Sequence, residues 1–285
     1  MRVAIGVDWS DQAFTAVTQT FHAYRPSDVT LVHGVDLGMF QHPIVAEAAN
    51  LQGYDDFRNA MVDAGRQLLD RAASMLPPGI DKVRRVNEIG SPAHVILNAA
   101  KTVAADLIVV GARGHSRATE VVLGSVSHRV LSHAPCSTLI VKGNAKPIRQ
   151  VLVAIEGRED AGWIKKWLLT NPFTAPVTLT VLTVVPSLQM ADPASIIGFQ
   201  AWSGTAMRYA EDLVKEAGAG LMGAHYSVST RAVTGEPAAM VAQQASTMDL
   251  VVAASHGRTG VERFLLGSVS HSIVHQVACP ILVIR

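Results

Sequence analysis

The stretch "GARGHSRATEVVLGSVSH" (residues 111–128) decides how the chain is read. It follows an apolar run, "LIVV" (107–110), and leads into a segment with helical spacing, in which Val126, Val130 and Leu131 fall on one side. Its glycines are spaced Gly111-x-x-Gly114-x9-Gly124, and Ser125 follows at once. A glycine at a strand end lets the backbone approach a ligand closely. Successive backbone N–H groups there form a concave nest for oxyanions. A helix starting near Ser125 adds unpaired N–H groups and the positive end of its dipole. The hydroxyls of Ser125 and Ser127 are further candidate donors. The chemistry implied is phosphate binding at a strand-to-helix turn.

Part of this stretch occurs twice. "LGSVSH" stands at 123–128 and again at 266–271, and the repetition extends along the chain. "VAIGVD", ending at Asp8, matches "VLVAIE", ending at Glu156. Gly90-x-Pro92-Ala93 matches Gly235-x-Pro237-Ala238, and "ADLIVVGARGHS" (105–116) matches "MDLVVAASHGRT" (248–259). "HAPCSTLIVK" (133–142) matches "QVACPILVIR" (276–285). Two tandem domains are expected, 1–145 and 146–285, joined at the polar segment "KGNAKP" (142–147). A length of 285 residues suits two domains.

Within each half the apolar runs are short, β-branched and nearly continuous, as parallel strands buried on both faces require. Segments of helical spacing separate them. "DDFRNAMVDAGRQLLDRAASML" (55–76) places Phe57, Met61, Leu68, Leu69 and Met75 on one broad stripe. "SPAHVILNAAKTVA" (91–104) opens with a serine N-cap and a proline at the first helical position. The pattern is β-α-β-α-β-α-β-α-β, twice. It defines the fold class as α/β, two doubly wound and mostly parallel sheets. Ligands of such sheets bind beyond the carboxyl ends of the strands, where the strand order reverses. Asp8 ends the first strand there, placed to accept hydrogen bonds from a ribose. Phosphates at one end and a sugar at the other make a nucleotide the expected ligand.

Composition removes other classes. A net charge of +1 and 5% aromatic residues give neither the basic excess nor the stacking surfaces of a nucleic-acid binder. No apolar run reaches the roughly 18 residues that span a bilayer, and "MRVAIGVDWS" (1–10) reads as a first strand rather than a signal peptide. Two cysteines, Cys136 and Cys279, make no disulfide framework and read as small buried hydrophobes. The expected compartment is the cytoplasm.

The pattern G-x-x-G-x9-G-[ST], placed after a strand and before the last helix and strand, resembles the ATP-binding motif of the universal stress protein family. The aspartate ending the first strand, the G-x-P-A after the third and the A-P-C or A-C-P before the last fit the same family. The resemblance covers the whole chain as a tandem pair. It implies Rossmann-like five-stranded sheets of order 3-2-1-4-5, in the adenine nucleotide α-hydrolase-like group. It also implies ATP or AMP as ligand, with or without Mg2+, and no defined catalytic reaction. Family domains commonly pair, so an intramolecular pseudo-dimer is expected, with homodimerisation open. Carried over by residue, Asp8 contacts adenosine and the backbone near Gly34 and Val35 lines the adenine pocket. Gly111, Gly114, Gly124, Ser125, Val126 and Ser127 cradle ribose and phosphates. Gly34 stands where a larger apolar residue is common, which loosens the expected adenine packing.

The second half keeps Gly257, Gly267, Ser268, Val269 and Ser270 but has Ala254 for the first glycine and Glu156 for the aspartate. The alanine methyl and the longer carboxylate both crowd the ligand position, so the first domain is expected to be the stronger binder. Neither half carries a Walker loop "GxxxxGK[ST]", an "SGGxDS" loop or an "HxGH" pair. No paired acids sit beside the glycine motif to hold magnesium and orient water, as phosphoryl transfer needs. A stress-response regulator or nucleotide-dependent interaction module is therefore the leading reading. A weak ATPase or nucleotide hydrolase, and a nucleotide-free scaffold, are the alternatives. His271 and His275 have zinc-pair spacing without "HExxH" and read as a helix face. His115, His256, Arg113, Arg117 and Arg258 are loop residues that either meet phosphates or remain solvated. Asp106 and Asp249 precede the fourth strands and read as turn or cap residues rather than catalysts. The divergent segments at 36–54 and 186–202 are candidate surfaces for a protein partner.

Overall fold

The apolar runs form the central strands. β1 (Arg2–Gly6) buries everything after its arginine, and β4 (Leu107–Gly111) buries its first four residues. In this computed structural model, residues 1–41, 53–113, 123–187, 193–223, 225–255 and 267–285 are described, with the backbone alone for 41 and 193–201. The chain forms two compact units, Met1–Ala145 and Lys146–Arg285.

In the first unit, β1 pairs in parallel with β2 (Asp28–Val35) on one side and β4 on the other. β2 continues to β3 (Lys82–Ile89), and β4 to β5 (Ser137–Val141), giving the order 3-2-1-4-5. The helices are α1 (Asp11–Ala23), α2 (Tyr54–Ser74), α3 (Pro92–Thr102) and α4 (Ser125–His133). The second unit repeats the plan. β6 (Gln150–Ala154) lies between β7 (Val177–Pro186) and β9 (Leu250–Ala254), with β8 (Tyr226–Gly235) outside β7 and β10 (Ile281–Ile284) outside β9, all parallel. Its helices are α5 (Arg158–Thr170), α6 (Pro193–Ala219), α7 (Pro237–Ala245) and α8 (Ser268–Gln276). Among the described residues no helix is long and apolar enough to cross a membrane.

In both units the chain runs from the middle strand to one edge and returns to the other side of the middle. The order therefore reverses between β1 and β4, and between β6 and β9. An aspartate pins each junction. Asp106 accepts hydrogen bonds from the Arg2 backbone N–H at 2.8 Å and from its guanidinium at 3.1 Å. Asp249 accepts from the N–H groups of Arg149 and Gln150, both at 2.8 Å, and from the Lys146 ammonium at 2.7 Å. Neither caps a helix; both sit in the turn before a strand and bind the start of the neighbouring middle strand.

Two helical expectations change. The buried stripe of α2 is Gly65, Leu68, Leu69 and Ala72, while Phe57, Met61 and Met75 are exposed. Gly65 packs so closely on His33 and Asn87 that any side chain there would collide with them, and this contact sets which face of the helix points down. Phe57 instead meets Phe40, with ring centroids 5.6 Å apart. Ser91 does precede α3 at the N-cap, but its side chain makes no cap hydrogen bond. It accepts one from Arg129 at 3.4 Å.

Candidate functional site

β1 passes its last strand bond through the Val7 N–H to Val32 O at 2.8 Å, and the chain then leaves the sheet at Asp8. The Asp8 carboxylate accepts hydrogen bonds from the N–H of Ser10, at 2.9 Å, and from the Ser10 hydroxyl. Ser10 is also the N-cap of α1, accepting from the Ala13 N–H at 3.2 Å. Both contacts use Oδ1 of Asp8. The turn is thus fixed by one carboxylate oxygen, and the half-buried Asp8 faces the crevice.

Across the crevice, β4 ends at Gly111 and α4 begins after Gly124. The Gly124 N–H donates to Ala112 O at 2.8 Å, which ties the two ends of the glycine stretch together. α4 has no side-chain cap, and its first backbone bond runs from the His128 N–H to Gly124 O. The N–H groups of its first turn are left directed out of the helix. Between these parts lies a cavity of about 320 Å³. Asp8, Gly34, Gly111, Gly124, Ser125, Val126 and Ser127 all line it. Val35 does not; it is buried at 1% exposure. Gly114 lies outside the described residues, as do His115 and Arg117.

The three described glycines differ in what requires them. A Cβ on Gly34 would stand 2.6 Å from Cα of Pro92, so this glycine exists because α3 starts against β2. Pro92 itself lines the cavity and supplies the apolar wall that a larger residue at 34 would give. A Cβ on Gly111 would meet three atoms of Gln12 at 3.0 Å, so α1 also requires its glycine. Gly124 is different. Its φ is −67° and a Cβ there would meet nothing closer than 3.5 Å. The protein's own packing would accept a side chain at that point, and the open space belongs to the cavity.

Ser127 lines the cavity but is buried, and its hydroxyl is directed at the carbonyls of Ala112, at 2.8 Å, and Gly124, at 2.9 Å. It braces the turn rather than presenting a donor, contrary to its expected role. Ser125 is the exposed hydroxyl. Sequence reading missed Ser10 and His33. Ser10 is visible afterwards as an N-cap in "DWSD" (8–11). His33 lines the cavity, and its Nδ1 lies 2.9 Å from Val7 O; a carbonyl only accepts, so Nδ1 carries the proton. Arg113 belongs to the same lining.

The second unit has a smaller cavity of about 240 Å³ at the matching place. Glu156, Ala254, Val269 and Ser270 line it. Gly267 and Ser268 stand beside it at the start of α8, the Gly267 N–H donating to Ser255 O at 2.7 Å. Gly257, His256 and Arg258 lie outside the described residues. Glu156 lines the cavity but is exposed. A residue that sequence reading passed over is buried in the same lining: Asp160, at 5% exposure, accepts from the N–H groups of Glu156, at 2.6 Å, and Gly157, at 2.7 Å.

Two doubly wound units, each with a crevice at its strand-order reversal, define a tandem Rossmann-like α/β protein. The family model described as "Universal stress protein family" matches residues 1–142 and again 147–285, and the chain belongs to that family. A universal stress protein of Mycobacterium tuberculosis strain H37Rv is 27% identical over 300 residues, covering 99% of this chain and 96% of its own length. One of Bacillus subtilis strain 168 is 29% identical over 151 residues, which is 50% of this chain and 98% of that protein. The crystal structure of a universal stress protein from Archaeoglobus fulgidus aligns over 100% of this chain and 96% of its own, at a TM-score of 0.63 and 17% identity. That likeness concerns the fold.

Proposed function

We propose that the first unit binds an adenine nucleotide, ATP or AMP, and that the protein acts in the cytoplasm as a nucleotide-responsive regulator. The observation carrying this reading is the space at Gly124. It is a glycine that no backbone angle and no neighbour requires, at the rim of a cavity faced by the uncapped first turn of α4. Backbone N–H groups of that turn, with the dipole behind them, suit phosphate oxygens. Arg113 adds positive charge. Asp8, with one oxygen engaged by Ser10, suits a ribose hydroxyl with the other. Val32, Ile96 and Pro92 form an apolar wall for a base. Asp8 is the sole carboxylate among the described lining residues, so magnesium would arrive on the nucleotide's own phosphates. Among the described lining residues no second acid is placed to orient water for phosphoryl transfer, which favours a binding role over hydrolysis. Bound nucleotide would then act by stabilising whichever conformation it prefers.

Calorimetric titration of ATP and of AMP into the full chain tests this. Saturable binding is expected, weakened at least about tenfold, or 1.4 kcal/mol, by Gly124→Ala. Binding unchanged by that substitution would place the ligand elsewhere, and no heat with either nucleotide would leave a nucleotide-free interaction scaffold.

A further inference from the structure

We infer that Asp160 is the specificity-determining residue of the second cavity, where it keeps phosphate-bearing ligands out. This rests on the reading that the first cavity is a nucleotide site, and it names what separates the two.

The helices after the two middle strands allow a position-by-position comparison. α1 starts after its N-cap Ser10, and Ala13 is its third residue. α5 starts after its N-cap Gly157, and Asp160 is its third residue. Ala13 lines the first cavity and Asp160 lines the second. A methyl group in one unit is thus a carboxylate in the other.

The reason is local. In the first unit the turn is fixed by Asp8 and Ser10. In the second, Gly157 has no side chain to cap α5 and Glu156 is exposed. The helix is capped from within instead: Asp160 reaches back and each of its oxygens takes one N–H, from Glu156 and from Gly157. An acid at the third position that reaches back to the N-cap N–H is one half of a capping box, a familiar helix start. Here it places a carboxylate, 5% exposed, inside the cavity wall. With both oxygens held, the group cannot swing aside for a ligand.

Its surroundings strengthen the effect. The other described lining residues are mostly apolar, among them Ile155, Leu182 and Val241, and no described lining residue is cationic. The first cavity has Arg113. Burial pushes the Asp160 carboxyl above the usual carboxylate range, although the N–H groups hold it down in part. A phosphate entering the same space would meet like charge with no cation among the described lining residues to offset it. The carboxylate also takes up room, in a cavity of 240 Å³ against 320 Å³.

The other two differences between the halves explain less. Glu156 stays at the exposed rim. Ala254 replaces a glycine that, in the first unit, contact with Gln12 requires, so that difference follows helix packing rather than ligand space.

The test is ATP stoichiometry in the full chain, by calorimetry, on the wild type and three variants. Gly157→Ser with Asp160→Ala rebuilds the S-x-x-A start of α1 and keeps the helix capped. Asp160→Asn removes the charge at nearly constant shape. Glu156→Asp with Ala254→Gly restores the family residues and leaves Asp160. One equivalent is expected for the wild type and for the last variant. Two are expected for the first, and a second, weaker equivalent for Asp160→Asn. Two equivalents in the wild type, or a second gained only by Glu156→Asp with Ala254→Gly, would overturn the role of Asp160 and leave the first site standing. So would one equivalent in every protein. If the wild type takes none while the Gly157→Ser, Asp160→Ala protein takes one, the role of Asp160 holds and the reading of the first cavity fails. Silence from all four proteins overturns both.

Discussion

A glycine is informative only when the reason for it is known, and the first unit has three with three different reasons. Gly34 makes room for the backbone of Pro92, Gly111 for the first turn of α1, and Gly124 for neither. Single methyl groups should therefore separate stability from binding. Gly34→Ala forces two backbones apart and is expected to cost about 1–3 kcal/mol. Gly111→Ala should cost less, because 3.0 Å contacts can relax by a few tenths of an ångström, and should weaken nucleotide binding as α1 shifts. Gly124→Ala should cost only the change of N-cap residue, about 0.5–1 kcal/mol, while weakening binding most relative to its effect on stability. Urea denaturation paired with calorimetry orders the three. An order in which Gly124→Ala is the most destabilising would mean that its glycine serves the fold after all.

At the scale of elements, each unit joins its middle strand to its neighbour through an aspartate, and the two joints differ in strength. Asp249 is the more enclosed, its side chain 16% exposed against 37% for Asp106. Partial burial works to raise both carboxyls. Hydrogen bonds and opposite charge outweigh it, from Lys146 and two backbone N–H groups at Asp249 and from Arg2 at Asp106, and hold both below the usual range. A carboxyl depressed in the folded state binds fewer protons there than in the unfolded chain. Its contribution is present above the unfolded value of 3.8 and lost as pH falls through the folded one. Asp249→Ala is expected to cost about 1.5–3 kcal/mol near pH 7, with the gap to wild type closing below about pH 4. The Asp106–Arg2 ion pair is more exposed and should contribute less. A gap for Asp249→Ala that stays constant down to pH 2 would assign the loss to packing instead.

The same elements show what the sequence made legible. Strands came through clearly, because "LIVVG" (107–111) and "LVVAA" (250–254) are apolar without interruption and a helix spacing does not fit them. The strand order followed from the repeated motif and the resemblance it carries. On α2 the spacing found the right side but not its extent: Phe57, Met61 and Met75 share an arc with Leu68 and Ala72, yet they lie at or towards the ends of the helix and are exposed. Burial centres where Gly65 approaches β2 and β3, a tertiary contact that periodicity does not encode. At the candidate site, Asp8, Gly111 and Gly124, which all line the cavity, were readable because strand ends and helix starts leave a spacing behind. Asp160 was not. Its meaning depends on the loop before α5 being one residue shorter than that before α1, which places an acid where the first unit has Ala13.

For the whole molecule the question is whether duplicated architecture means duplicated response. The two units have the same topology, matching cavities and matching aspartate joints, yet one cavity wall carries Ala13 and the other a held carboxylate. A ligand bound by one unit alone stabilises that unit by RT ln(1 + [L]/Kd), about 2.7 kcal/mol at a hundred times Kd, equivalent to roughly a hundredfold slower exchange of amides exposed only when the unit opens. Hydrogen exchange of the full chain with saturating ATP should therefore slow the core amides of β1, β4 and α4 by up to this factor. Those of β6, β9 and α8 should keep their rates. In the Gly157→Ser, Asp160→Ala chain both sets should slow. Equal slowing of both sets in the wild type could arise in two ways, which stoichiometry separates: two equivalents would mean both cavities bind, whereas one would mean that binding in the first unit is transmitted to the second. The second outcome would make the duplicated unit a receiver of the signal rather than a spare copy of the site, because only free-energy coupling between the units slows exchange where no ligand sits.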